Sequence, residues 1–366
     1  MVAAQTLLAQ QFRSADSIVK SGISRGIYPG AVLVVGRRDQ VLFARGFGHL
    51  EWRSGSPVPS PDSTLWDLAS LTKVVGTTPA VMRLVEERRV DLDAPVSRYL
   101  PRFSGAGKEK VTVRQLLNHS SGLPSYVQFF KLAPTRDSAI ALLYGTPLRR
   151  SPGKAVEYSD LNFLMLGLLV EQVSGEPLDR YVTRAVLQPA GMGQTRYRPG
   201  RAAARYTAPT GQWRGHPVCC EVNDQNAVRF GGAAGHAGLF STAIDLARYA
   251  RFWLNEGALE GNRILNAASV RAFLSPQGAD ATRVLGWERP DPRHRDDSAY
   301  GHLLSSRAYG HTGWTGTLLW LDPGQDLFMV FLTNRTYNPR IGHSIRALRA
   351  VRGALADAIV RELARQ

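Results

Sequence analysis

The chain has two cysteines, and they are neighbours, Cys219 and Cys220. A bridge between adjacent residues is strained and no other partner exists, so a disulfide-stapled scaffold is excluded. The eight histidines form no HExxH pattern and no Cys/His cluster. No metal centre and no cofactor are therefore expected. No apolar run approaches the roughly 20 residues that a membrane-spanning helix requires. The opening stretch, MVAAQTLLAQQF, lacks a basic start, a long apolar core and a small-residue cleavage site. As written the sequence reads as cytoplasmic, with a periplasmic or secreted location left open if a leader has been removed.

Lysine is also scarce. Only six of the 45 basic residues are Lys, in a chain of net charge +15. The arginines are scattered, with no run of five or six and no interleaved aromatics. The excess reads as compositional, with attraction of anionic substrates left open, and no nucleic-acid partner is expected.

What remains is an ordinary globular composition over 366 residues, 44% hydrophobic and 20% charged. Leu8, Phe12, Ala15, Val19 and Ile23 recur at helical steps, which predicts an amphipathic helix over 7–23. Two short apolar runs, 31–35 and 41–47, flank Gly36-Arg37-Arg38-Asp39 and predict a β-hairpin. Helical patterns follow near 75–88, 112–118, 160–174, 178–187 and 243–255. Strands return at 317–321 and 327–333 around the turn 322–326. A closing helix over 343–364 carries Ile345, Leu348, Val351, Leu355 and Ile359 on one face. The stretch 288–297 reads as an exposed loop.

These elements predict an α+β (or α/β) architecture. An antiparallel sheet built from both chain ends is flanked by the terminal helices, and a mainly helical lobe is inserted. The expected organisation is one catalytic domain over 1–366, with a sheet lobe of about 1–69 and 285–366 and a helical lobe of about 70–284. A cleft between lobes is a favoured place for a site.

Three motifs carry chemistry. In Ser70-Leu71-Thr72-Lys73 the three-residue spacing puts hydroxyl and ammonium on one helix face. A helix start would stabilise the alkoxide, and a desolvated Lys73 with a lowered pKa could take the serine proton. Spacing alone decides nothing, because Ser17/Lys20 and Ser151/Lys154 match equally well. In Tyr158-Ser159-Asp160 a phenol made more ionisable by a nearby ammonium could serve as base and return the proton, with Asp160 facing the substrate. In His311-Thr312-Gly313 an edge strand of small residues lets a substrate lie alongside. The amides of Trp314 and Ser70 would then form an oxyanion hole.

Taken in order, Ser-x-x-Lys, Tyr-Ser-Asx and His-Thr-Gly at 70, 158 and 311 resemble the serine β-lactamase and penicillin-binding superfamily, in the class C-like branch with D-amino-peptidases and esterases. The resemblance extends to Leu116–Pro124 and to Gly232–Thr242, and its details look most like muropeptide amidases. It implies an acyl-enzyme on Ser70, with Lys73 and Tyr158 moving protons and Asp160, His311, Thr312 and Gly313 binding substrate. A small-molecule or muropeptide substrate is expected, cleaved at an amide or an ester. The alternatives are a carboxylesterase, a weak β-lactamase, or a non-catalytic module that binds cell-wall fragments. Antibiotic-processing members carry Lys where His311 stands and Asn where Asp160 stands. A histidine there would lose its attraction for a carboxylate as pH rises from about 6 to 8. His119 and His236 read as loop-bracing residues, Tyr126 as either cleft wall or core packing, and Asn334 and Arg335 as strand-end residues that solvent covers or that hold a substrate carboxylate.

Overall fold

The computed structural model describes residues 12–213, 216–276, 280, 282–291, 293, 298–337 and 345–365. Its main sheet is antiparallel and takes strands from both ends of the chain. The first hairpin is β1 (Gly30–Gly36) and β2 (Val41–Gly48). The late strands are β3 (Tyr309–Thr312), β4 (Leu318–Asp322) and β5 (Leu327–Thr333). The order is β3-β4-β5-β1-β2, with Leu33 opposite Phe331 in the central pair.

Alternation along the strands splits the core in two. Ala31, Leu33, Val35, Met329 and Phe331 face the terminal helices α1 (Arg13–Ser24) and α5 (Ile345–Leu363). Within the expected faces, Phe12, Ala15, Val19, Leu348, Val351, Leu355 and Ile359 are buried there. Leu8 and residues 343–344 lie outside the described residues. Val32, Val34, Val330 and Leu332 face the helical lobe, where α4 (Ala243–Leu254) crosses the sheet.

The centre of that lobe is α3 (Asp160–Ser174), whose residues 161–170 are all buried. A helix apolar all round belongs inside a protein, and this one ends at Gly175 in the left-handed conformation. Beside it runs the segment from Leu71 through a π-helical turn, Lys73–Thr77, into α2 (Thr78–Glu86). Helices over 129–132, 136–145 and 267–274 escaped the periodicity reading. The one over 136–145 is announced only by Thr135 and Ser138 capping each other, a weaker signal than a Glu at that spacing. The stretch from 288 departs from expectation at its start. Glu288 exchanges both backbone hydrogen bonds with Gly310, at 2.8 and 2.9 Å, and so lengthens the sheet beside β3. Among the described residues, no helix is long and apolar enough to cross a membrane.

Candidate active site

Ser70 lies at the entry to the π-helical segment, immediately after a residue in an uncommon conformation. Ala69 has φ of +47°, a left-handed geometry that costs a non-glycine residue free energy. The buried Asp67 carboxylate holds this turn, accepting the Ala69 amide at 2.8 Å and the Asn223 amide at 2.7 Å. Burial pushes the Asp67 carboxyl up to about 6.

The opposite wall is tied to the same segment. Thr315 donates its hydroxyl to the Asp67 carbonyl at 2.7 Å, and Thr317 donates to the Leu68 carbonyl at 3.0 Å. Gly313 permits the approach, since a Cβ there would lie 2.1 Å from Thr317 Oγ1 and 2.5 Å from the Leu68 carbonyl oxygen. From behind, the buried Arg352 of α5 donates to the carbonyls of Thr317 (2.8 Å) and Gly313 (3.3 Å). The amides of Ser70 and Trp314 therefore sit on two rigidly joined segments. Among the described residues neither donates within the protein.

Lys73 and Tyr158 converge on the serine. Lys73 Nζ donates to Ser70 Oγ at 3.0 Å, and Tyr158 Oη lies 2.9 Å from the same oxygen. The two rival Ser-x-x-Lys matches are eliminated by exposure, because Ser17, Lys20, Ser151 and Lys154 all face solvent while Lys73 is fully buried. The Tyr158 loop is fixed from the Leu116–Pro124 segment. Ser159 donates its hydroxyl to the Pro124 carbonyl (2.7 Å) and its amide to His119 Nδ1 (3.1 Å), and the Asp160 amide donates to the Ser125 carbonyl. The Gly232–Thr242 segment supplies the His236 carbonyl, which accepts from Lys73 at 3.3 Å.

Three expectations about charge are corrected. Burial does oppose the Lys73 ammonium, but the Asp160 carboxylate 2.7 Å away, with Tyr158, more than offsets it and leaves the pKa above its ordinary value. Lys73 is thus no neutral base at rest. Tyr158 is not more acidic either. Burial raises its phenol and outweighs the pull of Lys73. His311, 2% exposed, is held neutral well below 6.5 by burial and then by the charges of Arg283 and Lys73, so it does not titrate between pH 6 and 8. Its Nδ1 lies 2.8 Å from the Thr312 carbonyl, which can only accept, so the proton is on Nδ1.

Asp160, expected to face substrate, lines the cleft, and its Oδ1 also accepts from Lys73. Thr312, Gly313 and Trp314 line a cleft of about 970 Å³ that also holds Ser70, Tyr158 and His311. Sequence reasoning missed Arg283, whose guanidinium carbon lies 5.3 Å from the Tyr158 ring centre, as well as Asp67 and Arg352. One arginine among dozens carries no local signal. His119 and His236 are the bracing residues expected, His236 Nε2 lying 2.9 Å from Asp224. Asn334 is structural, donating to the carbonyls of Leu50 and Pro209. Arg335 bonds the Trp314 carbonyl at 2.6 Å and covers its ring at 4.6 Å. The cysteine thiols are free, and burial pushes that of Cys219 up to about 12, which leaves it a poor nucleophile.

Asp160, Asp224 and His236 bring three donor atoms within 4.8 Å of one another. Each already has a partner, Asp160 in Lys73 and the other two in each other, so the group reads as an ion-pair network.

Comparison with known proteins gives the family. A profile of the β-lactamase family matches residues 15–354. The chain belongs to the β-lactamase family. It is 32% identical to the N-acetylmuramyl-L-alanine amidase of Bacillus subtilis (strain 168), covering 91% of this chain and 82% of that protein. Among solved structures, the β-lactamase from Sulfitobacter sp. EE-36 superimposes with a TM-score of 0.77 at 24% identity, covering 98% and 99% of the two chains. EstCE1, described as a hydrolase with promiscuous acyltransferase activity, gives 0.76 at 22% identity, covering 97% and 100%. As a member of this family the protein is a serine hydrolase of the β-lactamase superfamily.

Proposed function

We propose that the protein cleaves an amide of a peptidoglycan fragment through an acyl-enzyme on Ser70. The observation that carries this is the convergence of Lys73 Nζ and Tyr158 Oη on Ser70 Oγ at 3.0 and 2.9 Å. A hydroxyl held by a buried ammonium and a phenol is an activated nucleophile. The amides of Ser70 and Trp314 would receive the oxyanion, where such donors contribute several kcal/mol. Thr312 and Gly313 would hold the substrate backbone against β3, with His311 as a neutral part of that wall.

Size and chemistry of the cleft favour a fragment over a small ester. Its volume of about 970 Å³ exceeds the needs of a short acyl group. Trp314 presents an indole 61% exposed at the rim, and Tyr126, 41% exposed, lines the same cleft. Such aromatic faces suit a sugar ring or peptide chain. The likeness to an N-acetylmuramyl-L-alanine amidase points the same way.

Intact-protein mass spectrometry after exposure to N-acetylmuramyl-L-alanyl peptides, a D-alanyl-D-alanine peptide, p-nitrophenyl acetate and benzylpenicillin tests the assignment. Turnover of a muropeptide amide, with an acyl adduct on Ser70, is expected. Turnover confined to the ester would replace the amidase reading with an esterase. No adduct and no turnover would leave a binding module.

A further inference from the structure

We propose that Asp160 is a positioning residue that locks Lys73 as a permanent ammonium, so that Tyr158, as a neutral phenol, carries every proton of the reaction. This rests on the Ser70 acyl-enzyme reading above.

Hydrogen-bond geometry around Lys73 supports it first. An ammonium has three N–H donors, and three acceptors surround this one: Asp160 Oδ1 at 2.7 Å, Ser70 Oγ at 3.0 Å and the His236 carbonyl at 3.3 Å. A neutral amine has two donors and a lone pair, so it could satisfy this set only by accepting from the Ser70 hydroxyl, and it would leave the Asp160 carboxylate at 2.7 Å without a counter-charge. Asn, which stands here in antibiotic-processing relatives, would bring no charge. Asp brings the counter-ion that a fully buried ammonium needs.

Other charged and titratable groups around Lys73 leave Asp160 as its direct partner. Tyr158 is neutral, and its ring centre lies 4.9 Å from Nζ. His119 and His311, which flank that ring, are held neutral, in part by Lys73 itself. Arg283 adds a second cation. Asp224 is paired with His236. Removing Asp160 would leave the ammonium with no carboxylate in direct contact, Asp224 being the nearby anion and already bonded to His236.

An ammonium that donates to Ser70 Oγ has no lone pair for the serine proton. That proton goes to Tyr158. In acylation the Ser70 Oγ–carbonyl carbon bond forms as the serine proton moves to Tyr158 Oη. The phenol's own proton moves to the leaving nitrogen, and the C–N bond breaks. In deacylation water adds to the acyl carbon, a water proton passes to Tyr158, and the phenolic proton returns to Ser70 Oγ as the ester bond breaks. Tyr158 begins and ends each half with one proton. No phenolate accumulates, which suits a buried phenol with a raised pKa.

The test uses the full chain and a fluorophosphonate probe, so that it does not depend on the substrate class. Rates of Ser70 labelling are measured from pH 6 to 9 for wild type, Asp160→Asn and Asp160→Glu, with thermal unfolding of each to verify the fold. Once the probe's own pH dependence is subtracted, wild type is expected to give a flat profile. Asp160→Glu is expected to be flat though slower. Asp160→Asn should gain a single ionisation, with a rate change of about fivefold or more as Lys73 loses its proton. A titrating wild-type profile, or a flat Asp160→Asn profile at unchanged rate, overturns the proposal and leaves the Ser70 nucleophile standing. Absence of labelling in folded wild type overturns both.

Discussion

Acidification probes the two buried histidines beside Tyr158, and its effect on stability follows from their surroundings. His119 accepts the Ser159 amide at Nδ1 and His311 directs Nδ1–H at the Thr312 carbonyl. Both stay neutral in the folded protein well below 6.5, held there by burial first and by Arg283 and Lys73 next. In the unfolded chain they regain the ordinary value of about 6.5. Below that pH the unfolded state binds protons that the native state does not. Stability that is fully present above pH 6.5 is therefore lost as pH falls through it. Between pH 7 and 5.5 each neutral ring costs about 1 kcal/mol. Asp67 opposes the trend, because a buried carboxyl raised to about 6 takes up its proton in the native state first. That offsets part of the loss over the same interval. The clean quantity is thus a difference between variants. Urea unfolding of wild type and His311→Gln at pH 7 and 5.5 should show the variant about 1 kcal/mol less sensitive to acid. Glutamine can still donate to the Thr312 carbonyl but cannot titrate. Equal acid sensitivity in the two proteins would refute the buried neutral histidine.

Three further outcomes follow from the site. Ser70→Ala should abolish adduct formation and lower turnover by about a thousandfold or more. Ser17→Ala and Ser151→Ala, on exposed segments, should leave both intact; adducts on either of these would move the nucleophile. Lys73→Ala and Tyr158→Phe should each lose about a hundredfold or more in kcat/KM, and the double mutant far less than the product of the two, since both act on the one Ser70 hydroxyl. Gly313→Ala should destabilise the protein by about 1–3 kcal/mol and depress kcat, because its Cβ would press on Thr317 and on the Leu68 carbonyl that sets Ser70; unchanged thermal unfolding and kinetics would show that the two walls are not rigidly coupled.

Local pattern carried a large part of this protein. The 36–39 turn between apolar runs specified the first hairpin, which the structure places at Gly30–Gly36 and Val41–Gly48. The helical pattern near 160–174 specified a helix, and α3 spans Asp160–Ser174. Three short motifs, each ambiguous alone, named the serine, lysine and tyrosine only through their order and its resemblance to a known family, and these three meet at about 3 Å. The hairpin and helix signals each lie within a short stretch, where periodicity and turn chemistry translate directly into geometry.

The electrostatic state of the site lay beyond such signals, because it depends on partners far away in the chain. Lys73 is charged because Asp160, 87 residues on, reaches it across the lobe. His311 is neutral because folding buries it and brings Arg283 and Lys73 near. The wall that carries Trp314 is held from behind by Arg352, on the terminal helix, with a buried guanidinium that looks in sequence like any other arginine. Sequence chose the residue types at the site, and tertiary packing chose their charges, since desolvation and Coulomb forces act through space and leave no trace in local spacing.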